Sequence, residues 1–218
     1  MNELINLYGL TRSQLEKLFV AQGLQSFRGR QLMKWVYHSG ISDFSEMSDL
    51  PLATRDWLAQ RTELALPNVV SQEESTDGTV KWAVQVHEDE CVEMVLIPEK
   101  GRNTLCVSSQ VGCSLDCSFC STGKQGFNGN LSTAEIVGQL LLANQHLESK
   151  NEMITNVVFM GMGEPLLNFE SVLAAANIMM DDMAFGLSKR KVTISSSGVV
   201  PAIDKLSEHT DCSLAISL

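Results

Sequence analysis

The chain has 218 residues, 44% of them hydrophobic and 19% charged, which is enough apolar material for a substantial core and excludes intrinsic disorder as its main state. Its 16 Lys and Arg residues against 26 Asp and Glu give a formal net charge of −10, which argues against a protein that simply coats nucleic acid. No apolar run approaches the roughly 20 residues that cross a bilayer, and the N-terminus lacks a secretory signal, so we expect a cytoplasmic protein with no membrane partner and with reduced cysteines.

The first predicted unit, residues 1–62, shows the apolar spacing of short amphipathic helices and is expected to be a helical accessory domain. Thr11 is the predicted cap of the first helix. Gly29 is predicted to separate that helix from the next, and a further helix is expected near 52–58.

Three basic residues of this helical unit, Arg28, Arg30 and Lys34, lie close enough in sequence to share one face. That face is a candidate contact for RNA phosphates, and a solvated helix surface is the alternative explanation. The unit is otherwise close to charge balance, so the negative charge of the chain belongs to the residues that follow it.

Residues 63–100 change to a period of two and are expected to form a small β-meander. Asp77 and Gly78 are a strong signal for a hairpin turn, and apolar residues alternate with polar ones over 82–86. Glu93 lies in the last strand of this unit and is expected to point away from its apolar neighbours.

From residue 101 onward, β-rich runs alternate with helical windows, an order typical of a parallel sheet covered by helices. Ser132 and Asn168 are predicted helix caps. The predicted strands are 104–108, 154–160, 191–195 and 213–218, and the predicted helices are 133–147, 169–183 and 201–207. The fold class is therefore α/β, with a partial (βα) barrel over 101–218 preceded by the meander and the helical domain. No helix follows the last strand, so we expect the barrel to be truncated in its fourth strand.

The cysteines give the strongest chemical signal. Cys113, Cys117 and Cys120 have the spacing C-x3-C-x2-C in the loop after the first strand of the repeat, where three thiolates can converge. A structural zinc site needs a fourth ligand, which is not found nearby, although a catalytic zinc accepts three protein ligands. A cubane iron–sulfur cluster held by three cysteines keeps one iron open for a substrate. Three packed cysteines that share a loop without a metal are the remaining explanation.

This cysteine loop resembles that of the radical S-adenosylmethionine enzymes, including the aromatic Phe119 before the last cysteine. The resemblance implies a fold of the radical S-adenosylmethionine barrel type and a [4Fe-4S] cluster whose open iron chelates S-adenosyl-L-methionine. The segment Gly161–Pro165 looks like the part of that family that holds the methionine amino group. Gly163 permits close backbone approach and Glu164 supplies an acceptor for an ammonium group. Alone, such a segment would equally fit a plain strand-to-helix turn.

Further segments resemble one family of that superfamily, the bacterial dual-specificity RNA adenine C2-methyltransferases. They are residues 27–31, 34–35, 77–82, 108–113, 120–123, 126–127, 161–167, 186–190 and 195–199. The resemblance covers nearly the whole chain and implies methylation at C2 of an adenosine in 23S rRNA and in tRNA, with electrons from a donor such as flavodoxin. We expect a monomer. A relative that acts at C8 of the same base stays open as an alternative.

The resemblance also implies roles for residues outside the cysteine loop. In that family the methyl group is first placed on a protein cysteine and reaches the base through a transient enzyme–RNA adduct, because electron-poor C2 cannot attack a sulfonium directly. Cys106 matches the thiol that resolves the adduct and Glu93 matches the proton acceptor. A core thiol and an outward-facing strand residue are the alternative interpretations of these two. Ser195 and Ser217 match contacts to S-adenosylmethionine.

One departure concerns the methyl-carrying cysteine, which in that family lies downstream of Leu218. The 218 residues alone are therefore expected to hold the cluster weakly and to transfer no methyl group. Cys91 and Cys212 match no motif and are expected to be buried packing residues. The second function considered is an RNA-binding fragment whose cysteines hold zinc, and absorption near about 400 nm would distinguish an iron–sulfur cluster from it.

Overall fold

The computed structural model describes residues 4–87, 90–115, 117 and 120–217. The helices are α1 (Arg12–Ala21), α2 (Phe27–Tyr37), α3 (Leu52–Arg61), α4 (Thr133–Glu148), α5 (Phe169–Met180) and α6 (Val200–His209). The strands are β1 (Ile5–Asn6), β2 (Thr62–Glu63), β3 (Asn68–Glu74), β4 (Val80–His87), β5 (Glu90–Glu99), β6 (Arg102–Cys106), β7 (Gln110–Gly112), β8 (Phe127–Asn130), β9 (Asn156–Phe159), β10 (Val192–Ser196) and β11 (Ser213–Ile216). Short 3₁₀ turns lie at Leu7–Gly9, Phe44–Glu46, Gly123–Gln125 and Pro165–Asn168.

The N-terminal helices begin where their capping residues predict, but Gly29 does not separate two of them. Thr11 caps α1 in a capping box with Gln14, as predicted. Gly29 lies inside α2, where a Cβ atom would stand 2.8 Å from the backbone nitrogen of Glu16 on α1. The prediction of a break at Gly29 is therefore wrong, because the residue is required for the close approach of two helices and not for a chain reversal.

One sheet of seven strands runs from the meander into the α/β region. Its order is β3-β4-β5-β6-β9-β10-β11, antiparallel from β3 to β6 and parallel from β6 to β11. The boundary predicted between residues 100 and 101 falls in the turn that joins β5 to β6, and the sheet continues across it. The α/β fold class is confirmed, and β11 lies at one edge of the sheet.

The hairpin turn between β3 and β4 has the predicted chemistry. Oδ1 of Asp77 accepts a hydrogen bond from the backbone N–H of Thr79 at 3.0 Å, and Gly78 has φ +84°. Because a positive φ is costly for residues with a Cβ atom, the glycine permits this turn.

The sheet has an apolar face and a more polar face. Val92 and Met94 of β5, Leu105 of β6 and Val157 of β9 are buried in the same core as the apolar residues of α4 and α5. Glu93 is exposed between its two buried neighbours, as predicted. The alternate residues of these strands therefore form a second face, whose side chains are available for a functional site.

Two helix caps of the α/β region behave differently. Ser132 forms the predicted capping box with Glu135 at the start of α4. Asn168 makes no capping hydrogen bond, and its buried amide instead donates to the carbonyl oxygens of Ser109 at 2.8 Å and Leu131 at 2.7 Å. Asn168 thus occupies the predicted N-cap position of α5, but the capping hydrogen bond is absent because its amide binds two distant carbonyl groups. Among the described residues, no helix combines the length and apolar character needed to cross a membrane.

Candidate cofactor site

The cysteine loop is closed by a two-stranded ribbon. Strands β7 and β8 pair antiparallel, and the backbone N–H of Cys113 donates to the carbonyl oxygen of Gly126 at 2.9 Å. Gly112 has φ +70°, and a Cβ atom there would overlap that same carbonyl oxygen. The closed loop therefore depends on glycine at position 112.

Hydrogen bonds inside the loop involve each of the three cysteines of the motif. The N–H of Cys120 donates to the carbonyl oxygen of Cys117 at 3.0 Å, and the N–H of Leu115 donates to Sγ of Cys113 at 3.4 Å. Gly123 packs against this turn, since a Cβ atom there would lie 2.8 Å from the carbonyl oxygen of Leu115. All three thiols are free and half-buried. The intervening Asp116, Ser118 and Phe119 lie outside the described residues.

The chemistry of this donor set suits an iron–sulfur cluster. Cluster ligands are thiolates whose sulfurs accept N–H hydrogen bonds, and Cys113 already accepts one. Within the described ranges, no group of three or more His, Cys, Asp or Glu side chains is placed to hold a metal ion as the side chains stand. The residues therefore fit an iron–sulfur cluster in two respects: the ligands are thiols, and one closed loop carries all three of them.

The loop after β9 packs directly on the segment that precedes the cysteines. Gly161 comes so close to β6 and its extension that a Cβ atom would stand 2.6 Å from Oγ of Ser108. Gly163 has φ +93°, and a Cβ atom there would overlap the side chain of Gln110. The two glycines thus bring the loop after β9 against the chain that leads into the cysteine loop, which the sequence analysis anticipated in general terms as close backbone approach.

Glu164 is buried, with only 4% of its surface exposed, and its carboxylate accepts three hydrogen bonds. Its Oε2 accepts from the backbone N–H of Ser197 at 2.9 Å and from Oγ of Ser197 at 3.0 Å, and its Oε1 accepts from the N–H of Leu166 at 3.1 Å. These donors are all uncharged. The carboxylate therefore connects the loop after β9 to the loop after β10 without a cationic partner among the described residues.

Ser195 and Ser217 meet at the carboxyl ends of two neighbouring parallel strands. Ser195 is the fourth residue of β10, Ser217 directly follows β11, and their hydroxyl oxygens are 3.2 Å apart. Ligand sites of parallel sheets form beyond the carboxyl ends of the strands, which is where these two hydroxyls lie. Ser195 is itself buried, with 8% of the residue exposed, whereas Ser217 is exposed. The structure thus brings together the two serines for which the resemblance implies contacts to one ligand.

Glu93 is held by its backbone, while its side chain reaches solvent. The N–H of Glu93 donates to Sδ of Met162 at 3.4 Å, and its carbonyl oxygen accepts from Oγ of Ser108 at 2.6 Å. The carboxylate, whose side chain is 54% exposed, pairs with Nζ of Lys81 at 2.9 Å. The hydrogen bond with Glu93 raises the pKa of Lys81 above its usual value. Glu93 is therefore anchored to the loop after β9 and carries a paired carboxylate.

Cys106 lies on the same face of the sheet as Glu93. It stands opposite Val95 of β5 and Val158 of β9, and residues two apart on a strand share a face. Burial raises the pKa of the Cys106 thiol above its ordinary value, and a backbone hydrogen bond with Met160 offsets only part of that effect. The thiol is half-buried, so it is neither a fully packed core residue nor an exposed one.

The two remaining cysteines are less buried than predicted. Cys91 and Cys212 are both half-buried, so the expectation of full burial is wrong for both, whereas the expectation of a packing role holds for Cys212. Cys91 lies two residues before Glu93 on β5 and therefore shares its face of the sheet. Cys212 packs against the edge of the core, and burial raises the pKa of its thiol.

The three basic residues of α2 have different surroundings. Arg28 donates to Oε1 of Gln31 and to the carbonyl oxygen of Asp49, both at 2.8 Å, whereas Arg30 pairs with Glu16 at 3.6 Å. Lys34 is exposed one turn after Arg30. Arg30 and Lys34 thus share a face, and Arg28 is directed instead toward the chain at residue 49.

A second basic feature overlaps segment 186–190 of the family resemblance, but the sequence analysis did not predict it as a charged surface. Lys189, Arg190 and Lys191 are consecutive and exposed just before β10, at the opposite end of the strand from Ser195. Lys189 pairs with Asp211 at 3.3 Å, and Nζ of Lys191 donates to Oδ1 of Asn156 at 3.3 Å. The signal that would have identified it is a run of three basic residues in an acidic chain.

Comparison with known proteins gives two matching family models. Residues 5–64 match the ribosomal RNA large subunit methyltransferase N-terminal domain, and residues 107–218 match the Radical SAM superfamily. The chain is 55% identical over 217 residues to the dual-specificity RNA methyltransferase RlmN of Pseudomonas fluorescens (strain SBW25), and 55% identical over 218 residues to that of Pseudomonas putida (strain GB-1). Each alignment covers 98% of this chain and 57% of the relative, so the chain spans little more than half the length of these relatives.

A solved structure is similar over the same extent. The crystal structure of a radical SAM methyltransferase from Sphaerobacter thermophilus superposes with a TM-score of 0.87 at 36% sequence identity, covering 98% of this chain and 63% of that chain. Its fold agrees with the mixed sheet described above. The chain therefore belongs to the radical SAM superfamily and, within it, resembles the RlmN-type methyltransferases in both its N-terminal helical region and its sheet region.

Proposed function

We propose that the protein is a radical S-adenosylmethionine methyltransferase that adds a methyl group to C2 of an adenosine in 23S rRNA and in tRNA. The observation that carries the proposal is the meeting of three segments at one end of the sheet. The cysteine loop packs on the loop after β9 through Gln110, and Glu164 of that loop binds Ser197 of the loop after β10. These are the segments that the family resemblance assigns to the cluster and to its ligand.

Cys113, Cys117 and Cys120 would hold the [4Fe-4S] cluster, with one iron free of protein ligands. When bound, the cluster supplies the single electron that cleaves S-adenosyl-L-methionine to a carbon radical. The protein contributes a closed loop between β7 and β8 that carries the three half-buried thiols. Partial burial of the loop limits solvent access to the thiolates, which is one of the protein's means of tuning such a centre.

Glu164, Ser195 and Ser217 would hold S-adenosyl-L-methionine. The buried carboxylate of Glu164 accepts hydrogen bonds from uncharged donors, and no described cation is paired with it. Binding of an ammonium group beside this carboxylate is therefore favoured. The two serine hydroxyls, 3.2 Å apart, can donate to or accept from ribose and carboxylate oxygens of the ligand. Gly163 keeps the loop free of a side chain at the point of closest approach.

Glu93 and Cys106 would act on the substrate base. Both lie on the more polar face of the sheet, and Glu93 is attached by its backbone to Met162 beside Gly163. The carboxylate would accept a proton from the methylated base, and the neighbouring thiol would resolve the transient adduct. The ion pair with Nζ of Lys81 at 2.9 Å would hold the carboxylate in position on this face of the sheet.

The RNA would be bound by locally basic surfaces of an acidic protein. Arg30 and Lys34 on α2 are the first candidates for phosphate contacts, with Arg28 beside them in sequence. A flavodoxin-like electron donor, a monomeric state and a cytoplasmic location complete the proposal. The RlmN relatives carry dual specificity for RNA in their names, which supports RNA as the substrate class.

The test is methylation of RNA by the reconstituted protein at its full natural length. Reduced protein is incubated with S-adenosyl-L-methionine and RNA that lacks the modification, and nucleosides are separated by chromatography and mass spectrometry. We expect 2-methyladenosine. Formation of 8-methyladenosine would support the C8-specific alternative, and bound zinc without absorption near about 400 nm would support the zinc-stabilised RNA-binding alternative.

A further inference from the structure

Gln110 lies between the cysteine loop and the loop after β9, three residues before Cys113. Its side chain is buried, with 1% of the residue exposed. Its Oε1 accepts from the backbone N–H of Glu164 at 2.9 Å, and its Nε2 donates to Oδ1 of Asn130 at 2.7 Å. Its backbone N–H donates to the carbonyl oxygen of Met162 at 3.2 Å. One residue thus contacts both the loop after β9 and strand β8, which closes the cysteine loop.

These contacts belong to a continuous polar chain. Asn130 binds Gln110, Gln110 binds the backbone of Glu164, and the carboxylate of Glu164 binds Ser197. The chain crosses from the cysteine-loop ribbon, through the loop after β9, to the loop after β10. Since buried polar groups are costly when unpaired, each member restrains the position of the next.

The side-chain amide of Gln110 suits this position because it can accept one hydrogen bond and donate another. It offers an acceptor and a donor at the end of a flexible stem, and both are used. Gly163 also lies against this side chain: a Cβ atom at position 163 would stand 2.4 Å from Cβ of Gln110, so the glycine leaves room for it. An apolar side chain of the same length would fill the space but would leave the N–H of Glu164 buried without an acceptor.

We propose that Gln110 is a positioning residue that sets Glu164 and its loop at a fixed distance from the cysteine loop. This inference rests on the proposed function, because the distance matters only if the cysteine loop holds a cluster and Glu164 holds its ligand. Residues that orient direct ligands of a metal site typically change affinity about 10- to 100-fold when they are replaced. The expected effect of losing Gln110 is therefore on ligand binding, with the cluster retained.

The principal test compares Gln110→Met with Gln139→Met. Gln139 is an equally buried glutamine whose amide binds the backbone of Ser108 and does not contact Glu164, so it is a matched control for loss of a buried amide. Iron content, the dissociation constant for S-adenosyl-L-methionine and Tm are measured on the reconstituted proteins. Hydrogen–deuterium exchange over residues 161–167 is measured on the cluster-free proteins.

For Gln110→Met we expect iron content within about twofold of the wild type, faster exchange over 161–167, and roughly tenfold weaker binding of S-adenosyl-L-methionine. For Gln139→Met we expect a similar loss in Tm without the loss of ligand affinity. Equal ligand affinity in Gln110→Met and the wild type would overturn the inference, as would equal losses in both variants.

A second variant covers the case in which Gln110→Met does not fold. Asn130 is exposed, so Asn130→Ala removes the outer end of the same polar chain at little risk to the core. We expect it to weaken ligand binding several-fold, and unchanged binding would overturn the inference. If the wild-type protein bound neither cluster nor ligand, the proposed function itself would fail, and the two failures are therefore distinguishable.

Discussion

Ser197 donates two hydrogen bonds to one carboxylate oxygen of Glu164, from its backbone N–H at 2.9 Å and from its hydroxyl at 3.0 Å. The two residues are 33 positions apart and belong to loops that follow neighbouring parallel strands. Because the Glu164 carboxylate is buried, these two hydrogen bonds fix the position of its oxygen atoms.

Replacement of Ser197 by alanine removes the hydroxyl donor and keeps the backbone donor. Loss of a hydrogen bond to a charged, buried group is expected to cost about 1–3 kcal/mol in the free energy of unfolding and to weaken binding of S-adenosyl-L-methionine. Urea unfolding and calorimetric titration measure the two effects. Ser207→Ala is the control, since its hydroxyl makes only a local bond to the carbonyl oxygen of Asp204 on an exposed helix surface. Equal behaviour of the two variants would contradict a role for Ser197 in holding Glu164.

Gly112→Ala is expected to prevent closure of the cysteine loop. A left-handed backbone alone costs a residue with a Cβ atom about 1–2 kcal/mol, and here the new Cβ atom would also overlap the carbonyl oxygen of Gly126. Gly40→Ala separates the two effects, because Gly40 has φ +62° and open space around its Cβ position. We expect Gly112→Ala to lose bound iron and Gly40→Ala to retain it. Retention of full iron content by Gly112→Ala would show that the loop tolerates the change.

Lys81→Met is expected to slow methyl transfer without changing stability. The Lys81–Glu93 pair is exposed, and pairs of this kind contribute little to folding, so its effect should be on the position of the carboxylate during turnover. Arg102→Met is the matched control, since the Arg102–Glu99 pair has similar exposure at the far end of β5. Methylation rates as a function of pH are compared with Tm for each variant. A loss of rate that Arg102→Met reproduces would argue against a specific role for Lys81.

Cys106 is expected to react slowly with iodoacetamide at neutral pH. Burial raises the pKa of this thiol above the ordinary 9.0, so its thiolate fraction at pH 8 is lower in the folded protein than in the unfolded chain. The unfolded chain releases its proton first as the pH rises through 9, so the contribution of this thiol to stability is full below that pH and is lost above it. Mass spectrometry after alkylation at pH 7, 8, 9 and 10 measures the profile. A folded-state rate at pH 8 that equals or exceeds the unfolded-state rate would contradict it.

Local patterns predicted the helix caps and the hairpin turn, because their causes are local. Thr11 and Ser132 cap helices through residues three positions away, and Asp77 with Gly78 forms its turn within four residues. The alternation in β5 likewise placed Glu93 on the face opposite its buried neighbours. The spacing of three cysteines predicted the candidate cofactor loop for the same reason, since the three residues lie within eight positions.

Features that depend on distant contacts could not be predicted in this way. Gly29 is needed because α1 packs closely against it. The Asn168 side chain does not cap its helix because its amide donates to carbonyl groups 59 and 37 positions away. The bond between Ser197 and Glu164, and the position of Gln110 between two loops, require the sheet to be assembled first. Resemblance to a family identified these segments, but it did not reveal which of their residues touch.

The most direct measurement is the Mössbauer spectrum of anaerobic protein reconstituted with enriched iron, recorded with and without S-adenosyl-L-methionine. Three cysteine ligands predict a four-iron centre in which one iron differs from the other three and changes when the ligand is added. Cys117→Ala should lose this centre, and Cys212→Ala should retain it. A centre that survives in Cys117→Ala, or four irons that do not respond to S-adenosyl-L-methionine, would contradict the account.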